Sequence, residues 1–254
     1  MEISKIRKKG MVSAKTQLDS LREKGIVEFI RTRPYTVRES FEDFLLDLDA
    51  MLMEPAEIHN HWAERSGDYS PDFYANLGPD DGSEWIHSIL DDSVDLDAAI
   101  LELGCSAGRN LAHLREQGYK NLYGIEINKE ALGIMENTYP PLAADGTFYL
   151  DAIEEIVPTF EDNQFDVVFS VETLQHIHPD NEWVFDELTR ITSDYLITIE
   201  NENSADRLVA VDNIDDFPLF YREWNTIFTR LGFKQIASKS TEIDTYRVFR
   251  NLEP

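Results

Sequence analysis

The stretch Ile100-Leu-Glu-Leu-Gly-Cys-Ser-Ala-Gly-Arg-Asn-Leu111 constrains this chain more than any other. Residues 98–103 are a short apolar run, the pattern of a strand buried on both faces in a parallel sheet. Gly104 and Gly108 bracket a turn of small residues, and glycine removes the side chain where a ligand must come close to backbone. The pattern of residues 109–117 is helical. A buried strand that passes through such a turn into a helix opens a doubly wound α/β unit. Sheets of this kind bind ligands at the carboxyl ends of their strands, where the next helix offers unpaired N–H groups and the positive end of its dipole.

The rest of the chain repeats the alternation. Further strands are predicted at 121–126, 147–150, 165–170 and 195–200, and helices at 84–90, 129–138, 181–191 and 221–231, the last stopped by Gly232. Two closing strands, 234–240 and 246–250, have no helix between them, which suggests an antiparallel pair at the edge. Together these predict an α/β fold: a doubly wound, mostly parallel seven-stranded sheet with an antiparallel last strand. Residues 1–54 read as an N-terminal helical arm, with helices at 13–31 and 39–53, and residues 55–254 as the main domain. Residues 59–82, rich in aromatic, glycine and proline residues, read as a structured loop.

Charge narrows the function. Residues 1–40 carry ten Lys/Arg against five Asp/Glu, whereas the remainder carries 13 against 44, for a net of −26 overall. So acidic a body repels phosphate backbones, and nucleic acid is not expected as a partner of the main domain. The composition resembles that of proteins from salt-rich cytoplasm, although an acidic surface is compatible with other habitats. The basic arm reads as a solvated helix lying over an acidic surface, or as a contact for an anionic partner. No run approaches the ~20 apolar residues of a membrane span, so no membrane association is expected. One cysteine, Cys105, excludes an internal disulfide, and a cytoplasmic location is expected.

A dinucleotide fits the glycine turn poorly. The sequence has Gly104 followed by Gly108 with Ser106 between, not G-x-G-x-x-G. Glu102, two residues before the first glycine, is awkward beside a pyrophosphate but tolerable beside a cationic sulfonium ligand. Leu122-Tyr-Gly-Ile-Glu126 ends the second strand in an acid, 18 residues after Gly108, near the spacing of a carboxylate that accepts both hydroxyls of a ribose. Phe148-Tyr-Leu-Asp151-Ala152 places another acid after a strand, able to accept from an adenine amine or to cap a helix. Phe165-Asp-Val-Val-Phe-Ser170 is a buried strand whose following residues face the same site.

The series ILELGCSAGRNL, LYGIEI, FYLDA and FDVVFSVETLQHI, in this order, resembles class I S-adenosylmethionine-dependent methyltransferases, enzymes on a Rossmann-like sheet. The resemblance spans about 90–250. It implies S-adenosylmethionine as cofactor, lined by Glu102, Gly104, Cys105, Ser106, Asn110, Glu126, Ile127, Asp151, Ala152, Ser170 and Val171. Ser106 departs from the family, where many relatives have glycine. The reading is a methyltransferase acting on a small-molecule acceptor. The alternatives are a non-catalytic S-adenosylmethionine-binding regulator and a nucleotide-dependent oxidoreductase.

Methyl transfer from an activated donor needs alignment first, and a base only where the acceptor atom carries a proton. His176, after the fourth strand, is the candidate base, with His178, Glu172 and Glu200 behind it. His176-x-His178 has no evident third ligand, so no metal site is predicted. Trp62, Arg65, Tyr69, Phe73 and Tyr74 read as part of a lid, or as packing for the arm.

Overall fold

The computed structural model describes residues 53–66, 70–91, 93–202, 209–212 and 217–252. The expected arm, except for Met53 and Glu54, lies outside the described residues, as does Tyr69 of the expected lid. The described residues belong to one compact unit, Met53–Pro254.

Three helices precede the sheet: α1 (Pro55–Ala63), α2 (Pro71–Ala75) and α3 (Asp81–Leu90). The stretch 59–82, expected as a loop, therefore contains helix at 59–63, 71–75 and 81–82. Proline occupies the first turn of α1 and α2, where its missing N–H costs nothing. Asp80 caps α3 by accepting from the N–H groups of Gly82 and Ser83.

Then come β1 (Ala99–Leu103), α4 (Arg109–Glu116), β2 (Asn121–Glu126), α5 (Lys129–Thr138), α6 (Pro140–Asp145), β3 (Thr147–Leu150), α7 (Ile153–Ile156), β4 (Phe165–Val171), α8 (Val184–Ile191) and β5 (Thr192–Glu200). The hairpin β6 (Val209–Asp212) and β7 (Phe217–Phe220) precedes α9 (Trp224–Arg230), β8 (Phe233–Ser240) and β9 (Thr245–Asn251). The main sheet has seven strands in the order β3-β2-β1-β4-β5-β9-β8. All pairs from β3 to β5 are parallel, and β9 runs antiparallel to both its neighbours. The antiparallel strand is thus the last in sequence, but it is inserted between β5 and β8, so β8 forms the edge. The separate hairpin β6–β7 was not expected.

Alternate residues of the central strands fill two cores. Leu101, Leu103 and Val168 pack on one face with Phe185, Trp224 and Phe228. Ile100, Val167 and Phe169 pack on the other with Ile86, Leu111 and Leu114. The central strand residues Ile100, Leu101, Leu103, Val167, Val168 and Phe169 are fully buried. Each such aliphatic side chain contributes roughly 1.5–3 kcal/mol by leaving water, which fixes the strand register and so the positions of the loops at the carboxyl edge. Among the described residues, no helix is long and apolar enough to cross a membrane.

Candidate active site

The turn between β1 and α4 is built from backbone in the left-handed region, with φ of +65° at Gly104, +49° at Ser106 and +82° at Gly108. A β-carbon on Gly104 would lie 2.4 Å from Thr173 Oγ1, so close packing against the turn after β4 requires glycine there. Ser106 is held in its strained conformation by a hydrogen bond, its N–H donating to Glu126 Oε2 at 2.7 Å. The other oxygen of Glu126 accepts from the N–H of Asn128, also at 2.7 Å. Glu126 ends β2 and is buried. Burial raises its pKa, and the N–H groups of Asn128, Ser106 and Ile127 oppose the rise. These N–H groups fix the orientation of the carboxylate and leave it lone-pair capacity for further donors.

Glu102 lies on β1 beneath the turn and is 2% exposed. Asn110 of α4 donates to its Oε1 at 2.7 Å, and Ser83 of α3 donates to Asn110 Oδ1 at 2.6 Å. Oε2 of Glu102 is buried and has no hydrogen-bond partner among the described residues. Burial pushes the Glu102 carboxyl up to about 8, against the Asn110 bond and Arg109, with Glu126 and Asp80 adding to the rise. Arg109 pairs with Asp80 at 2.7 Å, so the starts of α3 and α4 are joined twice.

After β4 the chain turns sharply. Glu172 has φ of +50°, and its N–H donates to the carbonyl of Ile199 at 2.7 Å. The buried Glu200 organises this turn. It accepts from Ser170 Oγ at 2.5 Å and from the N–H groups of Thr173, Leu174 and Gln175. Burial nevertheless pushes its pKa up to about 7, partly offset by these donors. Arg222 fastens the turn from below, donating to the carbonyl of Ile177 at 2.6 Å and pairing with Glu182 at 3.0 Å.

His176 stands in this turn with its ring 4.2 Å from that of Trp62 on α1. Burial and the nearby Arg65 charge hold its pKa down to about 3, so the ring is neutral near pH 7. His178 is buried, and its Nδ1 accepts from the N–H of Asp180 at 3.1 Å. Glu172 keeps solvent access within surroundings that bury it on most sides, and burial together with Asp244 raises its pKa. The start of the segment expected as a lid is held twice: Asn128 Nδ2 donates to the carbonyl of Arg65 at 3.1 Å, and His59 meets Glu154 at 3.2 Å.

The structure brings Glu102, Gly104, Ser106, Asn110, Glu126 and Ile127 together at the carboxyl ends of β1 and β2. Asp151 follows β3, exposed, and accepts from the N–H of the buried Ala152 at 2.8 Å. Cys105 is different: its sulfur packs over Gly124, where a β-carbon would come within 2.6 Å, and burial raises its thiol pKa. Its side chain is core, so only its backbone faces the turn. The Ser170 hydroxyl is likewise engaged by Glu200, and Val171 packs on the core. The sequence reading missed the positioning roles of Ser83, Asn128 and Arg222. Their partners lie on other elements, which residue spacing does not reveal.

A family model described as a methyltransferase domain matches residues 101–194, from β1 into β5. Over these residues the chain is similar to the methyltransferase domain that the model describes. No curated relative matches this chain by sequence. Similar solved structures include the S-adenosylhomocysteine-bound magnesium protoporphyrin IX methyltransferase of Synechocystis PCC 6803. It is 13% identical with a TM-score of 0.57, over 78% of this chain and 98% of that one. A complex of the Haloferax volcanii Trm112 methyltransferase activator with a methyltransferase gives 14% and 0.56, over 78% and 97%. The PH0226 protein of Pyrococcus horikoshii OT3 gives 17% and 0.55, over 70% and 94%. At these identities the likeness of the chain to its neighbours is one of fold.

Proposed function

We propose that this domain transfers the methyl group of S-adenosylmethionine to a small-molecule acceptor. The observation that carries the reading is the clasp around Glu126, a buried carboxylate aimed by two backbone N–H groups at 2.7 Å beside the glycine turn. The orphaned Oε2 of Glu102 fits the same ligand, because a buried carboxylate oxygen without a donor suits a cationic group. When bound, S-adenosylmethionine supplies an electrophilic methyl carbon on a positively charged sulfur. Glu126 would accept the two ribose hydroxyls, Asp151 would accept from the adenine amine, and Ala152 would provide a small apolar wall. Glu102, with its proton released to solvent, would hold a cationic part of the ligand. Trp62 packed on His176 shields the site from water.

A base this far below neutrality is poorly matched to proton transfer at pH 7, so we assign His176 to the wall of the site. Glu172, raised toward neutrality and open to solvent, is the better proton acceptor wherever the acceptor atom carries a proton. The acidic body disfavours a nucleic-acid acceptor. In this reading the methyl-transfer domain is residues 55–254, and the protein works in the cytoplasm. The test is incubation with labelled S-adenosylmethionine and fractionated small metabolites. Label in a metabolite fraction with matching release of S-adenosylhomocysteine supports the reading. Label confined to protein or nucleic acid contradicts it.

A further inference from the structure

We propose that Glu84, His87 and His113 form a binding site for a divalent transition-metal ion of the zinc class, tying α3 to α4. Glu84 and His87 stand three residues apart on α3 and so share a face, and His113 comes from the neighbouring helix α4. One potential ligand atom from each lies within 4.8 Å of the other two. Glu84 Oε2 is 3.7 Å from His113 Nε2. In a tetrahedral zinc site with bonds of about 2.0–2.1 Å, donor atoms stand roughly 3.4 Å apart. The Glu84–His113 spacing is therefore nearly that of a ligand pair, and its remaining gap closes by rotation of Glu84, whose side chain is 64% exposed; closing on His87 needs adjustment of that half-buried side chain as well.

The second observation concerns His113. Its side chain is 4% exposed, and its Nε2, facing Glu84, is buried with no hydrogen-bond partner among the described residues. A buried ring nitrogen left without a partner is costly, and a coordinated cation removes that cost. The His87 ring meets the His113 ring edge to face at 5.7 Å, and one nitrogen of each lies within 4.8 Å of the other. Two imidazoles and one carboxylate are donors that suit zinc, cobalt or nickel rather than magnesium or calcium. Asp91, with Oδ1 3.9 Å from His87 Nε2, adds negative charge at the rim. Three protein ligands leave a fourth position for water.

The site is separate from the residues assigned to methyl transfer, but it lies on the same two helices. Ser83 of α3 and Asn110 of α4, each one turn or less from a ligand, form the chain that positions Glu102. An ion joining α3 to α4 therefore reinforces the support of the cofactor turn without touching the ligand.

The test uses the full chain, stripped with a chelator and titrated with zinc chloride by calorimetry and by thermal unfolding. The expected result is one saturable equivalent and a midpoint raised by several degrees, since a ligand bound only by the folded state stabilises it. His87→Ala and Glu84→Gln, each at a partly or fully exposed position, should bind zinc at least tenfold more weakly and lose the midpoint shift. Cobalt should report nitrogen and oxygen ligation in its visible spectrum, altered in His87→Ala. Absence of a saturable equivalent overturns the proposal. So does unchanged zinc affinity in both variants, or equal binding of magnesium at the same concentration, which would mark only an acidic surface.

Discussion

Glu102→Gln isolates the most perturbed carboxyl at the cofactor turn. The side chain is 2% exposed, bonded at Oε1 to Asn110, and its folded pKa is about 8 against an ordinary 4.5. Between those values the unfolded chain releases this proton while the folded chain retains it. Stability is therefore greatest below about 4.5 and falls as pH rises toward 8, by up to about 1.4 kcal/mol per pH unit. Glutamine copies the protonated carboxyl: its oxygen accepts from Asn110 and its amide cannot ionise. The variant should match the wild type at pH 5 and exceed it at pH 8 by roughly 2–4 kcal/mol, a range below the full linkage value because water and local relaxation reduce it. Urea unfolding of both proteins at pH 5, 6.5 and 8, without ligand and followed by two probes, measures the difference. The general self-repulsion of the acidic body is common to both and cancels. A pH-independent difference, or a wild type that gains on the variant as pH rises, would show that Glu102 is ionised in the folded protein, and the raised pKa assigned to it would fail.

Three further outcomes are expected. Gly104→Val should lower the thermal midpoint markedly, because its β-carbon would meet Thr173 Oγ1 at 2.4 Å on a backbone with φ of +65°; a wild-type midpoint would contradict the packing. Glu126→Ala should destabilise the fold by about 1–3 kcal/mol for each backbone N–H it orphans, those of Ser106 and Asn128. An unchanged denaturation midpoint would mean that Glu126 is merely a solvated acid. Glu172→Gln should lower kcat by roughly 10²–10⁴ for an acceptor that must lose a proton, whereas His176→Phe should mainly raise KM. Rate measurements across pH on both variants check this, and the reverse pattern would restore His176 as the base.

The central strands β1, β4 and β5 were legible because they are buried on both faces and so appear as nearly uninterrupted apolar runs. The glycines and Glu126 stand at strand ends, where chain order already locates them at one edge. The hairpin β6–β7 was not legible, since its strands of four residues are separated by acidic residues and contain Pro218, which counts against a strand. Helix α1 was hidden by His59, His61 and Trp62, which read as loop until their contacts with Glu154, Arg65 and His176 are seen. Ser170 looked free to face a ligand because Glu200, the group that holds it, is 30 residues away. His176 looked like a base because only the fold reveals the burial and the Arg65 charge that weaken it. Glu84, His87 and His113 stand on two helices, and only the packing of those helices brings them together.

The most direct measurement is calorimetric titration of S-adenosylhomocysteine into the wild type and into Glu126→Gln, under conditions where both are folded. Glutamine preserves the volume and one accepting oxygen but removes the charge and the second acceptor. Micromolar binding by the wild type, on the order of −8 kcal/mol, is expected. The variant should bind tenfold to a thousandfold more weakly, as hydrogen bonds to a charged group contribute roughly 1.5–3 kcal/mol each. Equal affinity in the two proteins, or no heat with millimolar ligand on folded wild type, would contradict the account.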